Sequence, residues 1–185
     1  MNQLIILAHP KQDSFSVTLK EQYQREMIKN GDKVKIRDLY KMKFNPVLNE
    51  EELANNNNGD TSADIAVEQN YIDWADQLTF IFPLWWNAFP AILKGYIDRV
   101  FTNGFAFRIT ENGPEGILKK KVRLITTAGM TEESLQNSGV YESLKVTQDA
   151  GVFEFCGMEV IDHIYIPEVT SLSVEEKIEV LDRLL

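Results

Sequence analysis

Apolar residues fall along this chain in two alternating rhythms. Runs rich in branched apolar residues recur at Leu4–Ala8, Lys33–Arg37, Leu78–Phe82, Val122–Thr126 and Val160–Ile166. Short runs of this kind read as strands of a parallel sheet covered on both faces. Between them the spacing becomes helical: Phe15, Leu19, Tyr23 and Met27 step by four, and Leu93, Tyr96, Ile97, Val100 and Phe101 follow Pro90, a residue suited to a first helical turn. Helices are also predicted around Ile65–Trp74, over Tyr141–Phe155, and at the end, where Ile178, Leu181 and Leu184 would dock. Gly31-Asp32 closes the first helix with a left-handed cap, and Ser173 to Glu176 opens the last with a capping box. Strand–helix alternation predicts an α/β fold of three layers, α/β/α, around a doubly wound five-stranded parallel sheet. The polar stretch Asn55–Asp60 has no apolar period and predicts a mobile loop. No repeat of about 20 to 50 residues is present, which excludes solenoids and propellers.

At 185 residues the chain predicts one domain, residues 1–185, burying roughly 70% of its unfolded surface. A formal charge of −9 opposes nucleic-acid and anionic membrane partners, which require a basic face. The basic run Lys119-Lys120-Lys121 reads as a solvated strand entrance. Cys156 stands alone, so no intrachain disulfide forms and a reducing compartment is expected. The first strand begins soon after Met1 without a basic leader, and no apolar run approaches the about 18 residues that span a bilayer. A cytoplasmic protein without membrane insertion is the expectation.

Candidate chemistry lies in the loops after the first, third and fourth strands, the place where doubly wound sheets bind ligands. The first, His9 to Thr18, runs straight into a helix whose free amides can hold a phosphate, with Ser14, Ser16 and Thr18 hydroxyls as further donors. Simple N-capping by Asp13 or Ser14 explains the same residues structurally. In the second, Pro83 ends the strand and Leu84, Trp85, Trp86, Asn87 and Phe89 form an aromatic wall on which a flat apolar ligand could lie. The third, Thr126-Thr127-Ala128-Gly129, is small and polar, with Gly129 free to take a positive φ. Together the three loops suit flavin mononucleotide, with the amides of Trp85, Trp86 and Asn87 facing the ring's polar edge and stabilising the charge of the reduced form. Gly-x-Gly-x-x-Gly, the P-loop, a nucleophile elbow and metal-ligand spacing are all absent, so no metal is expected.

The residues Ala8-His9 with Ser14-Phe15-Ser16, Asp38-Leu39-Tyr40, Phe44-Asn45-Pro46, Pro83-Leu84-Trp85-Trp86, Pro90 to Gly95, Arg99-Val100-Phe101, Gly104 to Phe107 and Thr126-Thr127 carry a family likeness. From Leu4 to about Ile166 the chain resembles the NAD(P)H:quinone oxidoreductases of the flavodoxin-like fold, the family of DT-diaphorase and bacterial quinone reductases. The resemblance implies a homodimer in which a bound flavin takes hydride from NAD(P)H as co-substrate and passes two electrons to a quinone or other small aromatic acceptor. It places flavin contacts on His9, Phe15, Ser16, Leu84, Trp85, Trp86, Asn87, Thr126, Thr127, Ala128 and Gly129. It gives Phe105 and Phe107 the role of covering the substrate side from the second subunit. FMN is the expected form, with FAD also compatible. Two departures stand out: Ala128 replaces the first glycine of the family's Gly-Gly, and Glu132, Glu133 and Ser134 lie where the mammalian enzymes carry a catalytic tyrosine and histidine. No catalytic proton donor is therefore assigned. The alternatives are a flavodoxin-type electron carrier, against which the His9 to Thr18 turn speaks, and a regulatory subunit of a potassium efflux system.

Overall fold

The structure, a computed structural model, describes residues 1–57 and 60–184. Side chains of Asn57 and of residues 182–184 lie outside the described set, so the expected docking of Leu184 does too.

Five strands build the central sheet: β1 (Asn2–Leu7), β2 (Lys33–Asp38), β3 (Gln77–Pro83), β6 (Lys121–Thr127) and β7 (Glu159–Ile166). They run parallel in the order β2-β1-β3-β6-β7, so the chain reverses its direction of winding between β1 and β3. This is the doubly wound α/β/α fold expected from the pattern, in the strand order of the flavodoxin-like fold that the resemblance implies. β4 (Phe107–Thr110) and β5 (Gly113–Gly116), which the periodicity did not reveal, form a separate antiparallel hairpin.

Alternation along the inner strands sends each residue to one of two cores. Leu4, Ile6, Leu78, Phe80, Phe82, Val122 and Leu124 face α3 (Ala63–Trp74) and α4 (Ala91–Val100), where Ile65, Ile72, Leu93, Tyr96 and Val100 meet them. Ile5, Leu7, Ile81 and Ile125 face α1 (Phe15–Lys29) through Val17, Leu19 and Tyr23, joined by Val180 and Leu181 of α7 (Val174–Leu184). Ile178 is 51% exposed and does not dock, so Val180 takes the place expected of it.

Helix ends follow local chemistry. Gly31 takes φ +87°, Asp32 N–H donates to Met27 O and Gly31 N–H to Ile28 O, the paired bonds of a Schellman cap. Ser173 and Glu176 cap α7 reciprocally, at 2.7 and 3.2 Å. Pro90 sits one residue before α4 and its carbonyl accepts from Leu93 and Lys94.

Two regions differ from the sequence expectation. Asn55, Asn56 and Asn57 belong to α2 (Glu50–Asn57), not to a mobile loop, while Asn58 and Gly59 lie outside the described residues. The helix gains its stability from tertiary contacts: Glu52 is buried against Arg99 at 2.9 Å, and Arg99 also reaches Asp64 and the Asn45 carbonyl. Tyr141–Phe155 divides into α6 (Val140–Leu144) and a π-helix over Lys145–Glu154, after a short α5 (Glu132–Asn137). The wider π turn puts two consecutive polar residues, Gln148 and Asp149, on the buried side. Among the described residues no helix is long and apolar enough to cross a membrane.

Candidate functional site

An open cleft of about 630 Å³ lies at the carboxyl ends of β1, β3 and β6. His9, Pro83, Leu84, Trp85, Trp86, Asn87, Thr127 and Gly129 line it, together with Met130, Val169 and Thr170. The sheet's change of winding leaves this crevice uncovered, because the connections on either side diverge to opposite faces.

Its aromatic wall is a two-residue hairpin. Trp85 N–H donates to Ala88 O at 3.3 Å and Ala88 N–H returns to Trp85 O at 3.0 Å. Trp86 and Asn87 between them take φ of +53° and +54°, the pattern of a type I′ turn. A tryptophan in that region is strained, and its ring meets nothing in the fold to compensate: Trp86 is fully exposed and Trp85 40% exposed. Among the described residues no carbonyl accepts from the Trp86 or Asn87 amide, whereas the Trp85 amide closes the turn. Two of the three amides expected to face a ligand are therefore open to one. Phe89 turns away from the cleft, with its ring 5.2 Å from Phe82 and 6.3 Å from Phe153, so the wall is the tryptophan pair alone.

His9 stands beside this wall, its ring centroid 6.1 Å from that of Trp85. His9 Nδ1 lies 3.1 Å from the Lys11 amide and 3.3 Å from the Lys11 carbonyl, so it accepts from the one or donates to the other according to the tautomer. Partial burial pulls the pKa of His9 below its ordinary value, outweighing the contrary pull of the Lys11 carbonyl and Asp13. The neutral form is thus favoured.

Helix α1 abuts the same floor. Ser14 caps it, accepting from Val17 N–H, and Thr18 Oγ1 folds back on the Ser14 carbonyl. The Phe15 ring packs into the core beside α1. Buried Ser16 bonds through Oγ to Thr127 Oγ1 at 3.3 Å, stitching the helix start to the end of β6. Leu84 N–H donates to Thr127 O at 2.7 Å and Ala128 N–H to Ile166 O at 2.8 Å, so one dipeptide ties all the loops together.

Ser14, Phe15, Ser16, Thr18, Thr126 and Ala128 do not line the cleft. Thr126 is wholly buried, and Ala128 packs with Leu135, Val140 and Leu144 under Leu84 and Met130. Gly129 does not use a positive φ; a Cβ there would meet nothing within 4 Å, so what it supplies is room. Phe105 and Phe107 pack against the core of their own chain, Phe107 with its ring 5.6 Å from that of Phe155. Met130, Val169 and Thr170 escaped sequence reading. The last two come from the segment after β7, where Val169 N–H donates to Ala128 O and Glu168 N–H to Met130 O. The apolar run ending at Ile166, beside a third cleft-side loop, was the only available signal.

The cleft can hold a flat ring against the tryptophan pair and offer it two amide donors and a neutral imidazole, while the start of α1 adjoins it through the Ser16–Thr127 bond without lining it. A metal has no such seat: no group of three or more His, Cys, Asp or Glu side chains among the described residues has metal-binding geometry.

Comparison with known proteins places this geometry in company. The family model described as flavodoxin-like fold matches residues 1–184. A Haemophilus influenzae protein described as an uncharacterized NAD(P)H oxidoreductase is 44% identical over 165 residues, covering 88% of this chain and 81% of that one. NAD(P)H dehydrogenase [quinone] 1 of Cavia porcellus is 32% identical over 180 residues, 86% of this chain but 66% of its own length. The solved NAD(P)H:quinone oxidoreductase of Methanothermobacter marburgensis superposes with a TM-score of 0.88 at 29% identity, covering 99% of this chain and 94% of that one.

Proposed function

This chain belongs to the flavodoxin-like fold family, and from that premise we propose that it is a flavin-dependent NAD(P)H:quinone oxidoreductase. The observation that carries the reading is the exposed Trp85-Trp86 hairpin, with the His9 ring beside Trp85, lining an open cleft at the sheet's switch point. Strained, solvent-exposed aromatic residues persist where a ligand compensates them.

The residues present fit a flavin. Leu84, Trp85 and Trp86 would hold the ring, the Trp86 and Asn87 amides its polar edge, and the Phe15 and Ser16 amides at the start of α1 its phosphate. Bound there, a flavin supplies hydride acceptance from NAD(P)H and two-electron delivery to an acceptor in the same pocket. The protein's part is positional. The fixed amide donors lower the energy of negative charge gathering at the ring edge, and they need not reorganise to do so. The tryptophan face excludes water and aligns a planar acceptor or nicotinamide for direct transfer. Reduction of a quinone to a quinol takes the hydride equivalent from NAD(P)H and one further proton from solvent; among the described cleft-lining residues His9 is the one side chain able to exchange it.

FMN is the form we propose, because His9 to Thr18 is the one phosphate-holding turn read in the sequence and, among the described residues, no lysine or arginine lines the cleft to bind a longer diphosphate tail. We also infer a homodimer, in which Trp86 and the segment from Phe105 to Phe107 would be shared between the cofactor and the second copy. Reconstitution of the purified protein with FMN or FAD, followed by NADH and NADPH oxidation with menadione, tests the reading. A yellow, menadione-active protein is expected. Failure to bind either flavin, with no nicotinamide oxidation, would overturn it.

A further inference from the structure

Around the end of β6 lies a polar cluster that the proposed chemistry does not use, its Asp149, His163 and Tyr165 lining a second cavity of about 450 Å³. His163 of β7 is 5% exposed; its Nδ1 lies 2.7 Å from Asp149 Oδ1 on the π-helix, and its Nε2 lies 3.1 Å from Thr126 Oγ1 at the end of β6. Tyr165 stacks on the imidazole at 4.1 Å between centroids, with its hydroxyl 3.0 Å from Nδ1. Tyr165 in turn meets the Tyr141 ring at 4.6 Å, and both pack against the buried cluster of Ala128, Leu135, Val140 and Leu144, on which Leu84 and Met130 of the cleft wall also rest.

The protonation pattern follows from the carboxylate. A carboxylate at 2.7 Å calls for a proton on Nδ1, and in the neutral ring Nε2 then presents its lone pair to the Thr126 hydroxyl. Hydroxyl, imidazole and carboxylate in this order have the geometry of an activated nucleophile. That role is closed here, because Thr126 is completely buried and no substrate reaches it. What the cluster can do is hold things still. One imidazole fixes the Thr126 hydroxyl from one nitrogen and the Tyr165 ring by stacking on its face. Thr126 precedes Thr127, whose carbonyl anchors Leu84 and whose hydroxyl anchors Ser16.

We propose that His163, oriented by Asp149, is a positioning residue of the cofactor cleft, locking the end of β6 and the Leu84–Met130 wall in the arrangement that receives the flavin ring. This rests on the cleft being the flavin site. At metal centres the hydrogen bonds that orient the ligands set affinity by roughly 10- to 100-fold, and an effect of that order is expected of His163 here.

The test compares wild type with His163→Leu, His163→Gln, Asp149→Asn and the double variant Thr126→Val/His163→Leu, each checked for a native circular dichroism spectrum. FMN dissociation constants are measured by fluorescence quenching, and the His163 ring nitrogens of wild type and Asp149→Asn by ¹⁵N NMR. Expected are an Nδ1–H tautomer in wild type that is lost in Asp149→Asn, and FMN binding at least about 10-fold weaker in His163→Leu. His163→Gln, whose Oε1 can still accept from Thr126, should recover most of that loss, and the double variant should bind no worse than His163→Leu. Should His163→Leu fail to fold, Asp149→Asn, which preserves volume, carries the affinity test. Wild-type FMN affinity in the folded leucine variant, or in Asp149→Asn when that variant stands in for it, refutes the positioning role; so does an Nε2–H tautomer in wild type. If wild type binds neither FMN nor FAD, the flavin reading falls and this inference with it.

Discussion

Trp86→Gly separates what the cleft hairpin does for the fold from what it does for a ligand. Holding an L-residue in the left-handed region costs roughly 1–2 kcal/mol, which glycine relieves. Glycine's greater freedom in the unfolded chain returns about 0.5–1 kcal/mol of that. No burial is lost, since the Trp86 side chain is fully exposed, whereas a core tryptophan cut back to alanine loses about 3–5 kcal/mol. The apoprotein should therefore stay within about 1 kcal/mol of wild type, a shift of roughly 2–4 °C in Tm for a chain of this size. Flavin binding should suffer. Covering about 100 Å² of indole at roughly 25 cal/mol/Å² is worth about 2.5 kcal/mol. Losing about 2–3 kcal/mol weakens binding some 30- to 140-fold, taking ~1.4 kcal/mol per tenfold. Trp86→Phe keeps an aromatic face and should retain most of the affinity. The assays are thermal denaturation of the flavin-free protein and FMN titration followed by fluorescence. A fall in apoprotein Tm beyond about 8 °C would show that the ring packs within the fold. Unchanged FMN affinity would show that no flavin rests on it. Either result refutes the reasoning.

Two further outcomes follow from close packing and from burial. Helix propensity alone favours Gly95→Ala in α4 by about 1 kcal/mol, yet the new Cβ would stand 2.1 Å from the Pro46 carbonyl oxygen and 2.4 Å from its Cβ. The loop must move, overpacking costs about 1–3 kcal/mol or more, and Tm should fall by several degrees; a rise would deny the contact. Burial raises the Cys156 thiol from 9.0 to about 11, so the fold favours the neutral form, and this contribution is intact below pH 9 and lost as pH rises through about 11. Iodoacetamide at pH 8 should label this sole cysteine no faster than the protein unfolds, and at once in denaturant; rapid labelling of the native protein would contradict its burial.

Much of this was legible because the relevant physics is local. Inner strands buried on both faces must be continuously apolar, so Leu4–Leu7 and Leu78–Phe82 declare themselves, and their alternation with helical spacing leaves the doubly wound fold as the simple solution. Glycine after the first helix and Ser173 before the last mark their ends through bonds spanning a few residues. The prolines around the tryptophan pair similarly bracket a loop that regular structure cannot enter.

What stayed hidden depends on partners distant in sequence. Asn55–Asn57 is helical because Glu52, on the same helix, meets Arg99, 47 residues onward; polar composition carries no sign of that. Phe89 was indistinguishable from Trp85 and Trp86 until the fold turned it toward Phe82 and Phe153. His163, an unremarked polar residue in a strand, acquired Asp149 and Thr126 only when the π-helix crossed β7. The amino-acid order alone determined the layers, the five strands of the central sheet and which loops gather at one end, because burial pattern and turn chemistry act over short stretches. Which side chains of those loops open to the cleft, which seal its floor and which brace it from below was decided by the tertiary structure, because a side chain's exposure and hydrogen-bond partners belong to neighbours that the chain brings together only on folding.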